Sequence, residues 1–222
     1  PLETLPDLFG EYPPADRKKL SHEKLPAPTS ALPRRLIVPL GRTVRVHDLE
    51  ITPLRVSEQE RYLSESKEGK PEQAVFPGPA LALHLRLKNA SREVYFHPTD
   101  PAFNRRYDPE EDGPPPYSYL RVGDDRYYGG PFDWPRKGAR AYTPAQASDD
   151  RPLGPGEVRE TVILSPPRTR FEDPAGRATS YTGGTMIWRV HLRTGLVSVG
   201  GRDYPVTSVI GVEFRNSDIR EN

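Results

Sequence analysis

Cysteine is absent from the 222-residue chain. Disulfides, thiolate nucleophiles and every cysteine-containing zinc site are thereby excluded. Long apolar runs are missing as well. No stretch nears the roughly 18 apolar residues that a membrane helix needs, so no direct membrane insertion is expected of this segment. An excess of charge is also lacking: 32 Lys+Arg stand against 31 Asp+Glu, a formal net charge of +1. A nucleic acid, or an anionic lipid surface, calls for a concentrated basic patch. The totals hold no surplus for one, and no nucleic-acid partner is expected.

The common catalytic motifs are missing too. There is no H-E-x-x-H, no G-x-S-x-G and no Walker-type phosphate loop. Ser64-Glu-Ser-Lys67 matches S-x-x-K, and Arg193-Thr-Gly195 is a loose relative of K-T-G. That chemistry needs its serine at the start of a buried helix, whereas Ser64 sits in a polar insertion and no S-D-N lies between the two. The match is coincidental. A cofactor site has no sequence support.

Turn-forming residues are plentiful. The chain has 27 Pro and 18 Gly, while hydrophobic residues make up 34%. This stays below the roughly 25–30% Pro plus Gly that signals wholesale disorder, but the core must be thin. Eight of the prolines fall between Pro1 and Pro39. Proline lacks a backbone donor and pushes its predecessor out of the helical region. Residues 1–35 therefore read as a proline-rich linker, or as an arm docked through Leu2, Leu5, Leu8 and Phe9. Residues 36–222 form the folded domain.

From Arg35 onward the apolar residues repeat with period two. Leu81, Leu83, Leu85 and Leu87 alternate with Ala82, His84, Arg86 and Lys88, the pattern of a strand with one buried and one solvated face. Met186, Trp188, Val190 and Leu192 alternate in the same way with Ile187, Arg189, His191 and Arg193. Further strands are expected at Thr43–Val46, Leu49–Val56, Glu93–His97, Tyr117–Val122, Arg126–Tyr128, Val158–Leu164, Leu196–Val199, Tyr204–Val206 and Val209–Phe214. Gly123-Asp124-Asp125 and Gly200-Gly201 mark hairpins. Strands follow strands, so an antiparallel arrangement is expected, with two packed sheets to bury both apolar faces. Three insertions interrupt them. Residues 57–79 read as a loop or a short helix, and residues 98–116 and 129–152 as long loops.

The alternating strands and turn signals resemble an immunoglobulin-like two-sheet sandwich. The Leu81–Asn89 strand ending in LKNAS, the LGPGEVRET segment at Leu153–Thr161 and the VIGVEF strand at Val209–Phe214 are similar to bacterial extracytoplasmic immunoglobulin-like modules carried behind a membrane anchor. The resemblance implies an accessory or binding role, an extracytoplasmic location and no catalysis. Opening on Pro1 without a signal-peptide pattern, the chain is expected to be cut or processed from a longer protein and anchored through a segment upstream.

The remaining constellations divide between structure and binding. His84 and His191 fall on the solvent phase of their strands, and a two-histidine metal site would need them to face each other across one sheet. The carboxylates Asp100, Asp108, Glu110, Glu111 and Asp112 are offered to a cation without the spacing of a twelve-residue calcium loop. Asn89-Ala90-Ser91 is a glycosylation sequon. Asp100 and Pro101 suit the start of a helical turn that would turn Phe103 inward. Six aromatics, from Tyr117 to Trp134, fall within eighteen residues. In a strand, Tyr127 and Tyr128 point to opposite faces, so one can be core and the other surface. Exposed rings beside a carboxylate form a sugar-binding platform, which makes Tyr128, Asp133 and Trp134 the candidate ligand-binding set. The sequence thus leads to a non-catalytic, envelope-associated domain contacting a protein or glycan partner. The alternatives are a carbohydrate-binding module built on the Tyr127–Trp134 segment and a metal-dependent enzyme.

Overall fold

A computed structural model describes residues 29–59, 62–67, 70–75, 79–104, 107, 115–129, 141–144, 152–167 and 184–221. The fold is all-β. Thirteen strands are described: β1 (Ile37–Pro39), β2 (Val44–Val46), β3 (Leu49–Gln59), β4 (Tyr62–Lys67), β5 (Lys70–Val75), β6 (Ala80–Asn89), β7 (Tyr119–Val122), β8 (Asp125–Tyr128), β9 (Ala141–Pro144), β10 (Val158–Pro167), β11 (Thr185–Val199), β12 (Arg202–Arg215) and β13 (Ile219–Glu221). Sheet A has the order β1-β12-β11-β7-β8, and sheet B has the order β10-β6-β3-β13 with β2 also paired to β3.

Period-two leucines explain why the sheets stack. Leu81, Leu83, Leu85 and Leu87 of sheet B share one core with Met186, Trp188, Val190, Leu192, Ile210, Val212 and Phe214 of sheet A. Trp188 is 1% exposed at its centre, its ring 6.4 Å from that of Phe214. Burying one such side chain stabilises the fold by about 1.5–3 kcal/mol.

Five expectations change. Glu93–His97 is not a strand: only Phe96 pairs there, in an isolated bridge to Leu153. The sheets are not wholly antiparallel: β1 runs parallel to β12 and β13 parallel to β3. Both are three-residue edge strands, too short to carry a strong alternation signal. The described residues of the insertion after β3, up to Val75, are strand, not loop or helix. They form the β4–β5 hairpin, which β9 extends to a third sheet, so Ser64 and Lys67 lie on a strand. Two pairs of expected strands fuse into the long strands β11 and β12, which pair along their length around the Gly200-Gly201 turn. Finally, the outer face of β6 is solvated only in part. Ala82 and its cross-strand neighbour Ser57 are both 0% exposed, whereas Arg86 and Lys88 reach solvent.

Two local devices fasten the fold, the first within sheet B and the second between the two sheets. Asn89, ending β6, is fully buried. Its Nδ2 donates to the carbonyls of Val94 (2.6 Å) and Leu153 (2.9 Å), and its Oδ1 accepts from the backbone N–H of Ser91 (2.9 Å) and from its hydroxyl (2.6 Å). The Leu153–Glu157 turn closes on the same residue: Asn89 N–H bonds the Glu157 carbonyl, and Gly156 N–H bonds the Asn89 carbonyl. The LKNAS and LGPGE segments are thus two halves of one latch. A glycan on Asn89 is sterically excluded, which overturns the sequon as a modification site.

The second device is a bulge in β11 between Arg193 and Gly195. The His47-Asp48 turn joining β2 to β3 docks there. Asp48 N–H bonds the Thr194 carbonyl at 2.9 Å, and His47 Nδ1 lies 2.9 Å from Thr194 Oγ1.

Candidate functional site

The outer face of sheet A carries Tyr128, the described member of the expected ligand set, among further chemistry-bearing side chains. Its register sets them in rows. One row runs Ile37–Gly211–Arg189–Tyr119–Tyr128, and the next runs Pro39–Glu213–Ile187–Arg121–Arg126. Alternation puts the intervening residues, Leu120 among them, into the core.

Tyr128 is half-buried at the β8 edge of this face. Its ring lies 5.2 Å from that of Tyr119 and 5.0 Å from that of Tyr107, tilted to both by more than 50°. Burial raises its phenol pKa above the usual value, and the Arg126 guanidinium, hydrogen-bonded to it, works in the opposite direction. Tyr127 packs against the core. The opposite orientations expected of this pair are present. Asp133 and Trp134, the other two members of the expected ligand set, lie outside the described residues, as do Asp108 and Glu110–Asp112 of the acidic loop.

Arg189 is buried beneath Tyr119. Its Nη1 donates to the Tyr119 hydroxyl at 3.0 Å and to the Ser30 carbonyl at 2.7 Å. Period-two reasoning had marked Arg189 and His191 as solvated. They are each 3% exposed, because neighbouring segments cover this side of β11. Ser30 does so at Arg189. At His191 the cover is the 3₁₀ turn Pro101–Asn104, whose Phe103 stacks on the imidazole at 3.9 Å and 27°, with Tyr117 at 5.3 Å on another side. The turn is fastened by the Asp100–Arg193 ion pair, by the Arg193 N–H to Pro98 carbonyl bond (2.8 Å) and by Asn104 Nδ2 to the Leu164 carbonyl (2.9 Å). The carboxylate of Asp100 is therefore engaged across the sheet, while its carbonyl accepts the Phe103 N–H. Phe103 turns inward as its sequence context suggested.

Desolvation, followed by the nearby Arg193 charge, lowers the His191 pKa to about 3. The ring is neutral, and its Nε2 is buried with no hydrogen-bond partner. His84 and His191 do not meet. They stand on β6 and β11, in opposite sheets, and both point away from the shared core, so no ion could bridge them. Among the described residues no group of three or more His, Asp or Glu side chains comes together. No helix among the described residues is long and apolar enough to cross a membrane, which says nothing of β-barrels.

No protein family, curated protein or solved structure matches the chain.

One contact on sheet B escaped the sequence reading. Ser57 Oγ lies 3.0 Å from His84 Nε2, and Gln59 Nε2 approaches both atoms, at 2.6 and 3.2 Å. A Ser–His contact is where nucleophilic catalysis begins. Here the serine is 0% exposed, so no substrate reaches it, and the triangle serves to satisfy buried polar atoms. The β3–β6 register, which no residue pattern announces, is what brings the three together.

Proposed function

We propose that this chain is a non-catalytic immunoglobulin-like domain of the bacterial cell envelope, contacting a protein or glycan partner. Two features of the topology support the immunoglobulin-like assignment. β3, β6 and β10 neighbour one another in the way strands A, B and E do, and β8-β7-β11-β12 run in the C′-C-F-G order. The third sheet is a departure from that plan, and so is Trp188, which is in the shared core but on β11, the F position, whereas the hallmark tryptophan belongs to strand C.

The observation that carries the reading is the contrast in side-chain use. Ser57, Asn89, Arg189, His191 and Thr194 are all buried and serve the fold. At the β7–β8 end of sheet A the outward-facing side chains left accessible include a half-buried tyrosine, Tyr128, and two exposed arginines, Arg121 and Arg126, residue types suited to contact surfaces. A second reading, a carbohydrate-binding module, is favoured by Tyr128, whose ring is partly accessible at the sheet edge.

Titration of the chain with a panel of purified envelope glycans, followed by intrinsic fluorescence, tests both together. Saturable binding without release of new reducing ends, weakened by Tyr128→Ala, is the expected result. Turnover of any panel member defeats the non-catalytic reading. Silence across the panel removes the glycan reading and leaves a protein partner.

A further inference from the structure

Arg121 and Arg126 are directly opposite each other on β7 and β8, on the outer face of sheet A, and both are exposed. Directly opposed side chains have Cβ atoms about 4.5–5.5 Å apart, and like charges there destabilise the pair. Among the described residues no carboxylate forms an ion pair with either. The acid in their row, Glu213, is two strands from Arg121 and three from Arg126, about 10 and 14 Å at the usual strand spacing. Asp125 is in the same hairpin but on the opposite phase, and Asp124 is in its turn. The hairpin is neutral in total, yet its two positive charges share a face.

The next row places Tyr128 beside them. Arg126 leans over this aromatic pair, its Cζ 5.9 Å from the Tyr119 ring centroid, and it bonds the Tyr128 hydroxyl. Among the described residues no acid neutralises this like-charge pair, and the contacts of Arg126 with Tyr119 and Tyr128 do nothing for Arg121; local rules broken in this way concentrate at functional positions.

We infer that Arg121, Arg126 and Tyr128 form a binding surface for an acidic glycan, a sugar chain carrying carboxylates. The inference rests on the glycan reading above and narrows it. A guanidinium fork matches a carboxylate in a bidentate way. Two forks side by side favour a ligand with repeated carboxylates over a single one. The tyrosine ring offers an apolar surface to the C–H face of a pyranose, a contact that an acidic peptide backbone does not reproduce. The ligand's negative charge relieves the repulsion that the free protein carries.

The test compares polygalacturonate, its methyl-esterified form and poly-L-glutamate by isothermal titration, with the full chain and the variants R121Q/R126Q and Y128L. Thermal melting is recorded alongside. Polygalacturonate is expected to bind in a salt-sensitive way and esterification to weaken it about tenfold or more. R121Q/R126Q is expected to lose a similar factor while melting near the wild-type temperature, since the repulsion it removes offsets the lost contacts of Arg126 with Tyr119 and Tyr128. Y128L is expected to weaken polygalacturonate and leave poly-L-glutamate unaffected. Equal binding of free and esterified polymer, weakened by Y128L alone, overturns the inference and keeps the glycan reading. Poly-L-glutamate binding as tightly as polygalacturonate, with Y128L changing neither, overturns it in favour of an acidic protein partner. Absence of polygalacturonate binding overturns it outright, and the neutral members of the glycan panel then decide the parent reading separately.

Discussion

Asn89 and Leu153 are 64 residues apart in the chain and joined by an Nδ2–H to carbonyl bond of 2.9 Å. The contact ties the end of β6 to the turn that starts β10. Alanine at position 89 would remove four side-chain hydrogen bonds; the Val94 and Leu153 carbonyls would keep the Ser91 hydroxyl and the Phe96 N–H as donors, while the Ser91 N–H would lose its acceptor. Each lost hydrogen bond is worth about 0.5–1.5 kcal/mol net. We expect Asn89→Ala to lower the unfolding free energy by about 2–4 kcal/mol in urea denaturation. Asn89→Asp keeps the acceptor and loses both donations, so it should fall nearly as far. A loss under about 0.5 kcal/mol for either variant contradicts the latch.

His191 gives the fold an acid-sensitive element with a defined sign. Its folded-state pKa, about 3, lies below the unfolded value of 6.5, so the unfolded chain binds the extra proton first. Stability is complete above about pH 6.5 and is lost progressively as the pH falls towards 3. At pH 5 the loss from this group alone is of the order of 2 kcal/mol. We expect His191→Phe, which keeps the stack on Phe103, to flatten the fall in melting temperature between pH 7 and 4. The His191 ring resonances should stay at their neutral positions down to pH 4. Titration of that ring near pH 6 contradicts the burial.

Strand periodicity made the frame legible in the residues. Leu81–Leu87 and Met186–Leu192 declare their inward faces, and the glycines at 200–201, with φ of 60° and 80°, declare the hairpin between the longest strands. The edge strands β1 and β13 escaped because three residues define no period. The β4–β5 hairpin escaped because its residues alternate polar with polar. The candidate site was legible only where a single strand held it: opposite orientations for Tyr127 and Tyr128 follow from alternation. His191 and Arg189 were misjudged for a physical reason. Alternation tells which residues leave the core side, but a second layer, here Phe103 and Ser30, can cover that side too. The Arg121–Arg126 juxtaposition needed the register of two strands, which depends on where a turn starts.

The Asp100–Arg193 pair joins the Pro101–Asn104 turn to β11, with both side chains about one-fifth exposed. Arg193 also stacks its guanidinium 5.0 Å from the Phe103 centroid. Partial exposure limits the ionic part, so a double-mutant cycle of Asp100→Asn and Arg193→Gln should give a coupling of about 1 kcal/mol. Arg193→Gln alone should cost more than Asp100→Asn, because it removes the ring contact as well. Equal single costs with no coupling would mean that the turn is held by Phe103 alone.

Gly195 and Asp48 test the second lock. Gly195 has φ of +155°, and a Cβ built there would meet Asp48 Oδ2 at 2.9 Å. Two separate penalties therefore follow from Gly195→Ala. One is backbone strain at a φ that side chains rarely adopt, of the order of 1–3 kcal/mol. The other is displacement of the Asp48 carboxylate, which is the end of a flexible side chain and can move at small cost. The single variant should lose about 2 kcal/mol in denaturant unfolding. Adding Asp48→Ala should restore only the minor, steric share and leave most of the loss, since φ is unchanged. Full restoration by Asp48→Ala would show that the clash dominates and that the bulge tolerates a side chain, so its glycine would serve only to admit the His47-Asp48 turn.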